Sequence, residues 1–212
     1  MLRIASLIIA AAIAALASAC TTGPPAASTT APRPPAVPTA HPSGAQRQGS
    51  GSLAALLKRS LHLPVLRPGQ PCPATPGRLI NTAEFGGIAL GVGPVRPIIA
   101  QQPPAVARRG IAYLAPSSAP GWLAIKTLWF SVPAYQGPFV IRARRLDHPG
   151  PVGLGGRPTA TRFAVPSGPT PSTFNGWRTV PGGTWVKAPG CYAWQVDGPT
   201  FREEIVVEAI LR

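Results

Sequence analysis

Acidic residues are scarce in this chain of 212 residues: six Asp and Glu stand against twenty Lys and Arg, a formal charge of +14. That leaves few carboxylate pairs for acid–base work. No Gly-x-Ser-x-Gly occurs, so a nucleophile elbow is excluded. No Cys-x-x-Cys and no Cys/His cluster occurs either, which leaves zinc and redox chemistry without donors. His62 and His148 sit beside loop signals with no partner at ligand spacing. Asp147-His148 is the one adjacent acid–histidine pair, and Pro149-Gly150 after it make a turn the expected reading. Glu203 and Glu204 are neighbours that point to opposite faces of a strand, and Glu84 is the lone acid of the first half. Gly153-Leu154-Gly155-Gly156 lacks the strand–helix setting of a phosphate loop. The expectation is no catalytic residue, no metal and no cofactor.

Helical signals are as rare as acids. Twenty-nine prolines and twenty-three glycines oppose long helices and favour short strands with frequent turns. The convincing helical pattern is Ser52 to Leu61, with Ser52 as N-cap, Leu53, Leu56, Leu57 and Leu61 on one face and Pro64 as the stop. It reads as a short helix packed on the domain; the other reading is a basic amphipathic segment lying on a bilayer.

Long apolar runs are confined to the N-terminus. Residues 1–19 carry Arg3, an apolar stretch from Ile4 to Leu16 and then Ala17-Ser18-Ala19, the layout of a secretory signal. The stretch is shorter than the ~20 residues a membrane span requires. Cys20 directly after the small residues resembles a bacterial lipobox, although Leu16 lies one place further from the cysteine than is usual. The resemblance implies acylation of Cys20 (palmitate among the acyl groups), a membrane-lipid anchor and a location outside the cytoplasm. Residues 20–50 are Pro-, Ala- and Thr-rich with almost no large apolar side chain, so a disordered tether is expected there, extending to about 90 Å at ~3.1 Å per residue.

With Cys20 lipidated, Cys72 and Cys191 remain as one pair in an oxidising compartment, and a structural disulfide is expected. From Val65 onward strands dominate. Those expected are one or two within Gly87 to Ala100, then Ile111–Leu114, Leu123–Val132, Phe139–Leu146, Arg162–Val165, Thr184–Lys187, Cys191–Val196 and Glu203–Leu211. A tight Asp197-Gly198 turn makes the last two a hairpin. The fold class is therefore all-β: an immunoglobulin-like antiparallel β-sandwich of about seven to nine short strands over residues 51–212. Tyr192 follows Cys191 instead of preceding it by two, so the tyrosine-corner signature is missing.

Cys72-Pro73, Leu90-Gly91-Val92-Gly93-Pro94-Val95-Arg96-Pro97, Lys126 to Asp147 (with Lys126-Thr127-Leu128-Trp129, Pro133-Ala134-Tyr135-Gln136-Gly137-Pro138 and Arg142-Ala143-Arg144-Arg145-Leu146-Asp147), and Gly176-Trp177-Arg178 to Gly198 (with Gly190-Cys191-Tyr192-Ala193-Trp194-Gln195-Val196-Asp197-Gly198) resemble a family of uncharacterised exported bacterial proteins. The resemblance implies an exported, disulfide-bearing β domain and brings no activity with it. Arg202-Glu203-Glu204 stands where that family often has Ser-Glu.

Two constellations carry recognition chemistry. Arg142, Arg144 and Arg145 beside Asp147 would set guanidiniums on the solvent face of one strand, suited to a phosphate, a carboxylate or an acidic polymer; the other reading is a solvated face that blunts edge pairing. Trp177 and Trp185, with Tyr135, are aromatics that stack on sugar rings or anchor a protein partner when exposed, and fill a core when not. The function expected is a lipid-anchored extracytoplasmic binding module. Its partners would be an anionic wall polymer, a glycan or an envelope protein, with no specific nucleic acid. A wall-modifying hydrolase and a purely structural envelope protein are the alternatives. An aromatic- or arginine-lined cleft of ligand size would favour binding.

Overall fold

The computed structural model describes residues 52–212; the signal segment 1–19, Cys20 and the spacer to residue 50 lie outside the described residues. In chain order the elements are α1 (Leu53–Leu57), β1 (Gly77–Asn81), β2 (Gly86–Leu90), β3 (Val95–Ile99), α2 (Pro104–Ala107), β4 (Ile111–Pro116), β5 (Leu123–Ser131), β6 (Phe139–Arg145), β7 (Gly153–Gly155), β8 (Arg162–Val165), β9 (Ser172–Phe174), β10 (Trp177–Val186), β11 (Gly190–Asp197) and β12 (Arg202–Leu211).

One sheet runs β1-β2-β3-β5-β10, with the short β7 and β9 on the outer edge of β10. The other runs β4-β12-β11-β6-β8. Strand β4 joins the two: it pairs with β12 along most of its length, and its last residues, Ala115 and Pro116, pair with Ala124 and Leu123 of β5. The fold is an all-β sandwich. The β4–β12 pairing is parallel, so the sandwich is not antiparallel throughout. The described strands number twelve against an expected seven to nine, because β1, β7 and β9 lie in Gly-, Pro- and Ser-rich stretches whose composition reads as loop.

The core follows from period-two alternation. Ile125 and Trp129 of β5 turn inward beside Phe139 and Ile141 of β6, Tyr192, Trp194 and Val196 of β11, and Ile205, Val207 and Ala209 of β12. Trp129 and Trp194 come from opposite sheets and meet edge to face at 5.6 Å and 85°. The Trp194 Nε1–H donates to Thr184 Oγ1 at 2.8 Å, which satisfies the buried indole. Leu211, the last of the alternating apolar set on β12, is exposed.

The β11–β12 hairpin forms as expected, but not through a tight turn. Asp197 pairs with Arg202 inside the ladder, and the connection is the loop Gly198 to Phe201, closed by Gly198 N–H to the Phe201 carbonyl at 3.0 Å. Pro189 stands two before Cys191, at the tyrosine-corner position, yet Tyr192 makes a bond of that kind, its hydroxyl donating to the Ala188 carbonyl at 2.6 Å.

The outer face of the second sheet is covered. Ser52 caps α1 by accepting from the Ala55 N–H, Leu56 is fully buried, and the chain then runs along β11 to Cys72. Leu63 packs against Cys191, Ala193 and Val206, and the Cys72–Cys191 disulfide, with Cα atoms 5.5 Å apart, pins the far end. The bond therefore ties a non-strand segment to the outside of one sheet, whereas an immunoglobulin disulfide joins two sheets. Strand β11 is buried on both faces as a result.

Candidate functional site

The arginines expected on an open strand face are not gathered there. The Arg142 guanidinium donates to Asp197 Oδ2 at 2.6 Å and to the backbone carbonyls of Arg59 and Ser60, so it clamps the overlying segment. Arg145 points the other way. It binds both oxygens of Asp147, at 2.8 and 3.1 Å, and the Pro189 carbonyl, with its guanidinium 5.7 Å from the Tyr192 ring centroid. Arg144 alone of the three is exposed. The expectation of a solvent face with two free guanidiniums is corrected: residues 52–72 cover that face, and the scarce acids take up Arg142 and Arg145.

The same scarcity explains how the acids are used. Asp197 is fully buried and receives Arg142, Gln195 Nε2–H at 2.8 Å and Arg202 Nε–H at 3.2 Å, with Arg59 at 3.7 Å. Burial raises the Asp197 carboxyl pKa, but the bonds from Arg142, Gln195 and Arg202 outweigh it and hold the group below its ordinary value. Gln195 completes the clamp by accepting from the His62 N–H and donating to the Ser60 carbonyl. Glu203 accepts from the Val92 and Gly93 N–H groups at 2.5 and 2.9 Å. A Cβ at Gly91 or Gly93 would push the Glu203 carboxylate off these two bonds, and Gly91 also has a positive φ of 84°. Asp147 lies 3.4 Å from His148, but Arg145 holds its carboxyl well below the usual range against the opposing effect of burial. Among the described residues no three His, Cys, Asp or Glu side chains converge to hold a metal.

Arg178 lies in a stretch that carries the family resemblance, but nothing in the sequence assigns it a role. It is fully buried on the inner face of β10, donates to the carbonyls of Gly137 and Pro166 at 2.8 and 2.7 Å, and rests over the Phe139 ring. Desolvation lowers its pKa. Tyr135 is its neighbour and not a surface aromatic. The phenol donates to the Pro138 carbonyl, the ring packs edge to face on Phe201 at 5.1 Å, and burial pushes its pKa up to about 12 against the opposing charges of Arg178 and Arg59.

Trp177 and Trp185 are placed differently. Both lie on β10 at odd positions, on the side opposite the core-facing Arg178, Thr184 and Val186. They therefore share the outer face of the first sheet, eight residues or about 27 Å apart at ~3.4 Å per residue. Each walls a groove. The Trp177 groove, of about 530 Å³, has an apolar floor of Phe85 and Leu128, hydroxyl-bearing sides from Ser172, Thr173 and Thr179, and the exposed Phe174 at its rim. Its acid, Glu84, accepts from Asn175 Nδ2–H at 2.8 Å. The Trp185 groove, of about 450 Å³, has the bare backbone of Gly155, Gly182 and Gly183 for a floor, with Lys126, Gln101 and Ser117 around it. The Trp185 indole N–H donates to the Gly155 carbonyl at 3.1 Å, which sets the ring.

No family model, curated protein or solved structure matches this chain. The site is therefore read from its own geometry.

The two grooves abut. Leu128 pairs with Pro181 and Lys126 with Gly183, so the end of one groove and the start of the next occupy neighbouring positions on the β5–β10 ladder. We refer to the two adjoining grooves together as the trough. Alternation in β5 puts Leu128, Phe130 and Val132 on one face, and the fold turns that face outward, with Phe130 roofed by Phe85 and Trp177 at 5.3 and 5.8 Å. Phe85 and Phe174 were missed in the sequence because each sits in a short loop or hairpin with no periodic context.

Proposed function

We propose that this protein is an extracytoplasmic binding module, anchored to membrane lipid through Cys20, whose ligand face is the outer side of the β5–β10 pair. The observation that carries this reading is the trough itself. Two contiguous grooves, each within the size range of ligand sites, are each walled by a tryptophan on the same strand. Aromatic anchors in preformed grooves supply most of the free energy of recognition at such sites. Both grooves open outward on the first sheet, whereas the segment 52–72 lies over the second. The anchor at Cys20 rests on the sequence signal.

Two measurements test this. Intact mass of membrane-purified protein is expected to show a diacylglycerol thioether on Cys20, and a free thiol at that position would remove the anchor. Full-length protein carrying Trp185→Ala or Phe174→Ala is expected to lose retention on envelope fragments of its own cell by about tenfold, with an unchanged circular dichroism spectrum. Retention equal to that of the unsubstituted protein overturns the assignment of this face.

A further inference from the structure

Resting on the reading that the β5–β10 trough is the ligand face, we infer that its occupant is an acidic polysaccharide strand whose rings carry carboxylates. The strand would lie along β10 with sugar faces on Trp177 and Trp185 and acid groups toward Lys126 and Lys187.

The backbone leaves little room for an added peptide strand. β5 is paired on both sides, by β3 and β10, and β10 is paired by β5 on one side and by β7 and β9 on the other. On the outer side of β10, Val180 to Gly182, between the β9 and β7 pairings, lack a ladder partner, a gap of three residues that leaves little edge for β-augmentation. What remains exposed is side-chain surface, and it has the character a sugar polymer needs. A tryptophan stands at each end, and hydroxyls and an amide lie along the sides.

The floor at the Trp185 end is glycine: a Cβ on Gly183 would make an ordinary contact with the indole nitrogen at 3.4 Å, and a Cβ on Gly156 would meet nothing within 4 Å.

Charge selects the class of polymer. Two of the three lysines in the chain stand at the Trp185 end. Lys126 is exposed on the groove wall and has no carboxylate partner among the described residues. Lys187 follows Trp185 by two positions, with its ammonium 4.2 Å over the Trp122 ring. The backbone carbonyl of that same Trp122 receives the hydroxyl of Ser117, a groove residue. The acid of the trough, Glu84, lies at the opposite end and is engaged by Asn175. Lys126 sets one ammonium on the wall of the Trp185 groove, so a sugar whose own ring carries the carboxylate offers a stacking face and a counter-charge in one unit, which a poly(glycerol phosphate) chain, having no ring, does not.

The test uses the full chain and polygalacturonate as the probe, with dextran as the neutral polymer and a poly(glycerol phosphate) chain as the phosphate polymer. Polygalacturonate at low salt is expected to quench tryptophan fluorescence and to bind about tenfold more tightly than either comparator. Trp185→Ala is expected to abolish the quenching and weaken binding by about tenfold, and Lys126→Ala to remove most of the preference over dextran. Lys126 is exposed, so this variant folds normally and keeps the test open if Trp185→Ala is unstable. Equal binding of dextran, tighter binding of the phosphate polymer, or polygalacturonate affinity unmoved by Lys126→Ala overturns the inference. Failure of the ligand class is separable from failure of the face. If envelope retention depends on Trp185 but is destroyed by protease and survives periodate, the face stands and the partner is a protein.

Discussion

Replacing Cys72 and Cys191 together with Ser is expected to lower the free energy of unfolding by about 4–5 kcal/mol. The bond closes a loop of 119 residues, long enough that most of the domain lies inside it, and loop-closure entropy of the unfolded chain sets the figure. The folded side adds to the effect. The disulfide holds the end of a segment with no strand of its own, and beneath that segment lie Cys191, Ala193 and Val206, all nearly fully buried. Without the bond the segment keeps the Arg59, Arg142 and Gln195 contacts at its other end and frays from the Cys72 end inward. Urea unfolding of the oxidised protein, the reduced protein and the double Ser variant checks this. A difference under about 1 kcal/mol would show that side-chain packing alone carries the segment.

Asp197→Ala is the second large effect, expected at about 3–5 kcal/mol because the change strands the largely buried Arg142 guanidinium. Arg142 has only 12% of its side chain exposed and would lose its counter-charge, and Gln195 would lose an acceptor. Asp197→Asn keeps one oxygen for Arg142 and should cost less. The same residue sets an acid limit. Its folded pKa lies below its unfolded value of about 3.9, so its contribution is complete above that pH and is lost as the pH falls through the folded pKa. A stability profile level from neutral pH down to about pH 4 and falling below it is the expected result. A profile for Asp197→Ala that falls just as steeply would move the origin of the acid limit to other carboxylates.

These two effects share a cause that composition discloses and geometry distributes. With six acids for twenty cations, each carboxylate has several arginines to choose from, and nothing in the spacing says which it takes. Arg142, Arg144 and Arg145 look equivalent in the sequence. In the fold, alternation sends Arg145 to the side of Tyr192 and Asp147, while the segment arriving from residue 52 covers Arg142. Trp177, Trp185 and Tyr135 are likewise indistinguishable by residue type. Strand parity puts the two tryptophans outward, and the Gly198–Phe201 loop folds onto Tyr135.

Local signals settled the parts of this protein that depend on near neighbours. Two-residue alternation marked β5, β6, β11 and β12, Ser52 marked its cap, and Pro and Gly marked the breaks between β2 and β3. Counting the cysteines pointed to the Cys72–Cys191 pair, because one pairing remained once Cys20 was set aside. Strand β10 escaped in its first half, since Pro181, Gly182 and Gly183 resemble a loop until β5 supplies a full ladder for them. Which sheet face is covered, which arginine meets Asp197 and where two tryptophans stand in line were decided only by tertiary structure. Those outcomes turn on contacts between residues 50 to 140 positions apart, and no local propensity encodes a partner at that distance.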